Sequence, residues 1–449
     1  MDLRPCHFSL SSAISPDSVV CADLVAPGHE RTFRLPVVIL RARAGRASDD
    51  ALIYLQGGPG AAAGLHRDGI DEWFDWLTYV EAGRDLILID PRGVGEGEPA
   101  LWCDAYERFS QEILARPVSL ETELAEGALV LDDCFQRLGE RGDFDPADYG
   151  TPQSAQDLAA LMTLLESYQG FHLLGVSYGT RVAMVAAAEN DRVLSLVLDS
   201  PFPDGRGGAE QWPETLANAL EQHFSWCDET DCYRGEGDYR NDFFQALGSL
   251  RHTPWQIRVE RWGRTGSQSV AVNDDRFLAG VFNALYEDSA WPRVPAAVAA
   301  VHAGEREPVR ELMTALVNLA FSEDWFSLVY YAVDCQDNPG IDRGRYLSAA
   351  ADYPDLLPYL APLAEYWGCP WSGPSREHAL TVPVPTVPGL ILAGERDPIT
   401  PQAWAEQLHL AWPGSRLELF EGRGHGVIWS DTRALKLAKE LWQSAGDTP

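Results

Sequence analysis

Gly175-Val176-Ser177-Tyr178-Gly179 stands between an apolar run, Phe171-His172-Leu173-Leu174, and a helical run, Arg181-Val182-Ala183-Met184-Val185-Ala186. This G-x-S-x-G at a strand-to-helix junction constrains the chain more than any other stretch. Small residues two before and two after the serine allow a tight, strained turn that lifts its hydroxyl above a sheet. The surrounding rhythm agrees. Short apolar runs at 35–40, 51–55, 85–90, 171–176, 193–199, 389–393 and 416–420 alternate with helical patterns, which predicts an α/β architecture with a parallel sheet covered by helices. One helix is expected over 154–168, opened by Ser154 and Asp157 at capping-box spacing, with Leu158, Leu161, Leu164 and Leu165 on one face. Others are expected over 181–189 and 402–411.

Between Pro203 and about Pro383 the rhythm fails. That stretch reads as mostly helical, rich in Trp and Tyr, and is taken as an inserted, mainly α-helical cap. The expected division is 1–205 as the first part of the core, 206–383 as the cap and 384–449 as the second part of the core. The Pro-rich stretch from Val382 to Pro388 would return the chain to the sheet as a stiff linker.

A serine hydroxyl is a poor nucleophile until a base takes its proton, so Ser177 requires a downstream acid and then a histidine. The run 389–394 delivers Glu395-Arg396-Asp397, which puts Asp397 on a loop at a strand's carboxyl end; Glu395 is the alternative acid. His425 follows 28 residues beyond Asp397, flanked by Gly424 and Gly426, and is the expected general base. His172 and His409 fall within strand and helix patterns and read as structural. The turn Gln56-Gly57-Gly58-Pro59-Gly60 can offer the Gly58 amide to an oxyanion, with the Tyr178 amide as the second donor. This chemistry calls for no metal and no organic cofactor.

The GGPG turn, the segment Asp85-Leu86-Ile87-Leu88-Ile89-Asp90-Pro91-Arg92-Gly93-Val94-Gly95, the elbow and the later Asp and His together resemble the α/β-hydrolase family of prolyl and tripeptidyl aminopeptidases, over nearly the whole chain. Ala332-Val333-Asp334-Cys335-Gln336-Asp337 and Cys369-Pro370-Trp371 are more similar to the tripeptidyl branch than to the short prolyl enzymes. The resemblance implies an α/β-hydrolase fold, a mostly parallel central sheet flanked by helices, and a serine exopeptidase that removes an N-terminal residue or short peptide. It also implies an N-terminal cysteine pair and export. Two residues depart from the family pattern: Gln56 stands where histidine usually precedes GGPG, and Glu96 where a serine often follows R-G-x-G.

An aminopeptidase must bind a free α-ammonium group, which asks for carboxylates in a mostly apolar pocket. The resemblance puts a recurring acid at Asp337, the first choice for this anchor, with Glu323 and Asp334 next. Trp325, Tyr330, Trp367 and Trp371 are candidates for lining a pocket for proline or another apolar side chain. Two rivals share these residues: a carboxylesterase using the same triad, and a non-catalytic binding protein on the same fold.

Composition narrows the partners. The balance of 35 basic and 67 acidic residues, a net charge of -32 on 449 residues, would repel phosphate and excludes a nucleic-acid partner. No run approaches 18 uninterrupted apolar residues, so nothing is expected to span a membrane and no membrane partner is expected; the triad and the resemblance imply a small peptide, amide or ester substrate. The eight cysteines form no CxxC pair, which argues against structural zinc. Paired in order, they would close loops of 15, 31, 5 and 34 residues, each worth roughly 2 to 4 kcal/mol. Eight reduced thiols in a cytosolic enzyme is the alternative. The opening Asp2-Leu3-Arg4-Pro5-Cys6 reads as a mature start with a signal removed, so a periplasmic or secreted location is expected, with the cytoplasm as alternative.

Overall fold

The computed structural model describes residues 2–42, 48–261, 266–338, 342–366, 369 and 380–446. Eleven strands are present among them: β1 (Asp2–Leu3), β2 (Val19–Pro27), β3 (Thr32–Leu40), β4 (Ala51–Leu55), β5 (Asp85–Ile89), β6 (Phe171–Val176), β7 (Val193–Asp199), β8 (Trp255–Glu260), β9 (Ser267–Val272), β10 (Gly389–Gly394) and β11 (Ser415–Phe420). Nine form one sheet in the order β1-β2-β3-β5-β4-β6-β7-β10-β11, and β8 pairs with β9 alone. The first three strands join antiparallel, β3 meets β5 antiparallel, and every pair from β5 to β11 is parallel.

The central strands are buried at every position, as continuous apolar runs covered on both faces must be. Alternate side chains then serve opposite layers. Ile53, Ile87, Leu173 and Leu196 pack with Leu158, Leu161 and Ala183, while Leu52, Leu86, Leu174 and Val197 pack with Ile70, Leu77 and Trp442. Because β5 to β11 run parallel, the loops bearing the 56–60 turn, Ser177, Asp397 and His425 all emerge at one sheet edge, the one where such sheets hold ligands.

Two local expectations fail. The helix containing Ser154 is Thr151–Leu164, begun from Gly150 with Pro152 in its first turn. Ser154 therefore lies inside it, its hydroxyl donating to the Gly150 carbonyl. Asp157 is not a cap but the buried counter-ion of Arg92, accepting from Nε at 2.6 Å and Nη2 at 2.7 Å. Leu164, assigned to the buried face, is exposed, and Met162 takes that place. The edge strands β1 and β2 and the hairpin β8–β9 were also not expected. Pro36 inside β3 and the mixed sequence of β2 blur the period-two signal that a paired edge would carry.

From Ala209 to Tyr366 the described chain is helical apart from that hairpin. It surrounds its own apolar centre, in which Leu216, Phe243, Trp291, Val298, Leu312 and Tyr346 are buried. Disulfides join the cysteines in succession: Cys6–Cys21, Cys103–Cys134, Cys227–Cys232 and Cys335–Cys369. No helix among the described residues is long and apolar enough to cross a membrane. Trp367, Pro370 and Trp371 lie outside the described residues.

Candidate active site

Ser177 is the residue between β6 and the helix Tyr178–Glu189, held at φ 55 and ψ −125. A non-glycine residue there is strained, and the surroundings impose the strain. A Cβ on Gly175 would lie 2.6 Å from the Gly179 carbonyl oxygen, and one on Gly179 would lie 2.1 Å from that of Leu55. Both glycines are therefore required by close approach of the backbone. The Ser177 amide donates to the Asp199 carbonyl at 2.9 Å, tying the turn to the neighbouring strand.

His425 and Asp397 meet across the ends of β10 and β11. His425 Nδ1 lies 2.8 Å from Asp397 Oδ2. That carboxylate also accepts from the Thr400 hydroxyl at 2.7 Å and from the Ile399 and Thr400 amides at 3.0 and 2.8 Å. Burial favours the neutral acid, yet His425 and the Thr400 bonds hold Asp397 below its ordinary range. Burial likewise opposes a charged His425, but the charge and hydrogen bond of Asp397, with Asp199 behind, hold its pKa above the ordinary 6.5. Glu395, the alternative acid, is turned elsewhere and accepts from the Gly422 amide at 2.7 Å.

Several supports of this loop were not anticipated. Asp199, fully buried and pushed up to about 7 by burial, accepts from the Val427 and Ile428 amides at 3.2 and 2.7 Å, and Ser200 Oγ accepts from the Gly426 amide at 2.9 Å. The inserted segment grips the other side. The His425 amide donates to the Tyr286 carbonyl at 3.3 Å, the Gly424 amide donates to Asp288 Oδ1 at 2.5 Å, and the Tyr286 ring stands edge-on to the imidazole with centroids 5.4 Å apart. A polar pair, Asp199-Ser200, directly after a central strand was the available signal.

Gly58 has φ 109, open to glycine and strained for other residues. The Gly57 amide is engaged by Gln56 Oε1 at 2.9 Å; the same oxygen accepts from the Tyr54 hydroxyl, and Gln56 Nε2 donates to the Ala62 carbonyl at 3.1 Å. Gln56 thus staples both ends of the turn. The inserted segment adds a strap, with Phe326 donating to Gly60 and Ala62 to Asp324 at 2.8 Å each. The amides of Gly58 and Tyr178 accept no such engagement from a backbone carbonyl among the described residues, and Tyr178 opens a helix, where the first amides are free of intrahelical partners. Gln56→Ala is expected to lower kcat about 10- to 100-fold with KM nearly kept, below the full cost of losing an oxyanion donor. Steady-state kinetics on a peptide anilide checks this; an unchanged kcat would mean that the strap suffices.

Ser177 and His425 line one cavity of about 660 Å³, together with Gly58, Tyr178, Trp325, Tyr330, Asp334, Asp337 and Trp429. The Trp325 and Tyr330 rings lie 6.0 Å apart between centroids, tilted by 36°. Asp337 is buried, with Oδ1 accepting from the Thr151 amide at 2.9 Å, Oδ2 from the Thr151 hydroxyl at 2.5 Å, and Arg181 Nη1 4.0 Å away. Asp334, one turn earlier and half-buried, accepts from Asn338 Nδ2 at 2.6 Å. Glu323 is a correction: it is exposed and borders a different cavity with His66, Asp90 and Glu96. At the strap, Ala61 and its bridge partner Trp325 border the Ser177 cavity, while Ala62, Asp324 and Phe326 border the other.

A second Ser, His and Asp set exists. His172 Nδ1 lies 2.8 Å from Ser195 Oγ and Nε2 3.3 Å from Asp50 Oδ2. His172 and Ser195 are wholly buried, Arg84 pairs with Asp50, and none of the described cavities is lined by them. Without access for a substrate this set is structural.

Residues 50–432 match the family model for the alpha/beta hydrolase fold. The chain is 23% identical, over 485 aligned positions, to the serine protease Hip1 of Mycobacterium tuberculosis, covering 100% of this chain and 89% of that protein. It is 27% identical to a tripeptidyl aminopeptidase of Streptomyces lividans over 414 positions, covering 84% and 71%. A solved esterase from Thermogutta terrifontis superposes with a TM-score of 0.40 at 15% identity, covering 95% of this chain and 99% of its own.

Proposed function

The chain belongs to the α/β-hydrolase family and is a serine hydrolase, and from that premise we propose that it is an exopeptidase releasing a short N-terminal peptide through an acyl-enzyme. Ser177 attacks the scissile carbonyl while His425 takes its proton and returns it to the leaving amine. Asp397 holds Nδ1 and offsets the imidazolium charge, and the amides of Gly58 and Tyr178 stabilise the oxyanion. Water, activated by His425, then releases the acyl part. The observation that carries this reading is the cavity itself: nucleophile and base line a space of about 660 Å³ whose lining also includes acids among aromatics. That volume suits a ligand larger than one residue, which favours the short-peptide form over single-residue release.

The amine anchor is reassigned within the proposal. Asp337 already meets Thr151 and Arg181, so a substrate ammonium there would have to displace existing bonds. Asp334, itself bonded by Asn338 but half-buried where Asp337 is closed off, is the more accessible of the two carboxylates in the cavity and is the anchor in this reading. Residues 206–383 act as the cap that closes the acyl side. The four disulfides support an extracytoplasmic setting.

The test is a panel of anilides with one, two and three residues before the reporter, each with a free and an acetylated amine. Turnover greatest for the free-amine three-residue substrate is expected, and Asp334→Asn should erase the preference for the free amine. Hydrolysis of a blocked ester with none of the free-amine anilides would overturn the proposal in favour of a carboxylesterase.

A further inference from the structure

Trp429 is 47% exposed, an unusual state for an indole, yet it lines the same cavity as Ser177 and His425. It stands four residues after the base, on the short helix Val427–Ser430, whose first amides Asp199 and Ser200 hold. Three rings fix its orientation: Trp73 at 5.3 Å, Tyr54 at 5.6 Å and Trp76 at 6.0 Å between centroids. Trp73 is itself anchored by donating to the Ala63 carbonyl at 2.8 Å. The result is an aromatic face held by other rings, lining the cavity and open to solvent.

We propose that Trp429 is a specificity-determining residue that receives the first residue after the scissile bond, favouring a large apolar or aromatic side chain there. The inference rests on the peptidase reading above. Its chemistry is directional: His425 must protonate the leaving nitrogen, so the leaving chain passes beside the imidazole, and it leaves by the mouth, where the exposed indole lies. An ordered ring costs little entropy on contact and offers dispersion and edge-to-face packing.

Two peptides with the same free-amine acyl part and either Phe or Gly after the cleaved bond provide the test, with each rate divided by the same variant's rate on p-nitrophenyl acetate. For the natural chain kcat/KM is expected to favour Phe by about tenfold, the size of one good aromatic contact. Trp429→Ala should reduce that ratio to near one, and Trp429→Phe should restore most of it. A ratio near one in the natural chain, or one kept by Trp429→Ala, overturns the assignment while leaving the peptidase reading intact. Acetate hydrolysis with no cleavage of either peptide overturns both.

Discussion

Alanine at position 177 is expected to lower turnover about a millionfold, and alanine at 425 by nearly as much, with the double variant no slower than the worse single one. The reason is that nucleophile and base act as one unit: without the base the hydroxyl stays protonated, and without the hydroxyl the base has nothing to activate. Residual rate over water would come from the turn at Gly58 and Tyr178 and from binding in the cavity. The measurement is kcat for purified variants on the best anilide of the panel, with burst labelling by an organophosphonate as an independent count of Ser177. A loss under a hundredfold for Ser177→Ala would remove the serine from the mechanism. Additive losses in the double variant would mean that the two residues do not work together.

Asp397→Asn is expected to cost about 10⁴-fold in kcat, the loss seen when a triad acid is replaced in other serine hydrolases. An amide in place of Oδ2 would donate toward Nδ1, which in the working tautomer carries the proton. The pH profile adds a second readout. His425 must be neutral to accept the serine proton, so activity falls as pH drops through its pKa. Held above 6.5 by Asp397, that pKa puts the acid limb of kcat/KM above 6.5. In Asp397→Asn the limb should move to lower pH even as the rate collapses. Asp199 is the rival source of that field, but it spends its oxygens on the Val427 and Ile428 amides and Ser200. A greater loss for Asp199→Asn than for Asp397→Asn would exchange their roles.

What the sequence disclosed follows from how local each signal is. The strands β4, β6 and β7 matched their apolar runs to the residue, even with His172, Ser195 and Asp199 in the latter two, because strands covered on both faces are apolar at nearly every position. Ser177, Asp397 and His425 were each legible from a glycine or strand-end context of a few residues. Partners were not. Asp157 reads as a helix cap until Arg92, 65 residues away, is seen to hold it. Asp337 reads as a free anion until Thr151, 186 residues earlier, is seen donating to it. Glu323 sits in an acidic aromatic segment, and nothing local shows that it borders a different cavity from Trp325, two residues on. Gln56 was visible as a departure, and only the structure supplied its three bonds.

Every disulfide lies wholly within one part of the chain. Two fall before residue 206, two between 206 and 383, and none bridges the division. Contacts do cross: hydrogen bonds such as Asp288 to Gly424 and Phe326 to Gly60, and the buried side chains of Phe326, Leu328, Val329 and Val333, which join the apolar cluster of the core. Every cysteine thus has its partner on its own side of residue 206, so replacing 206–383 by another segment would leave no unpaired thiol in either piece.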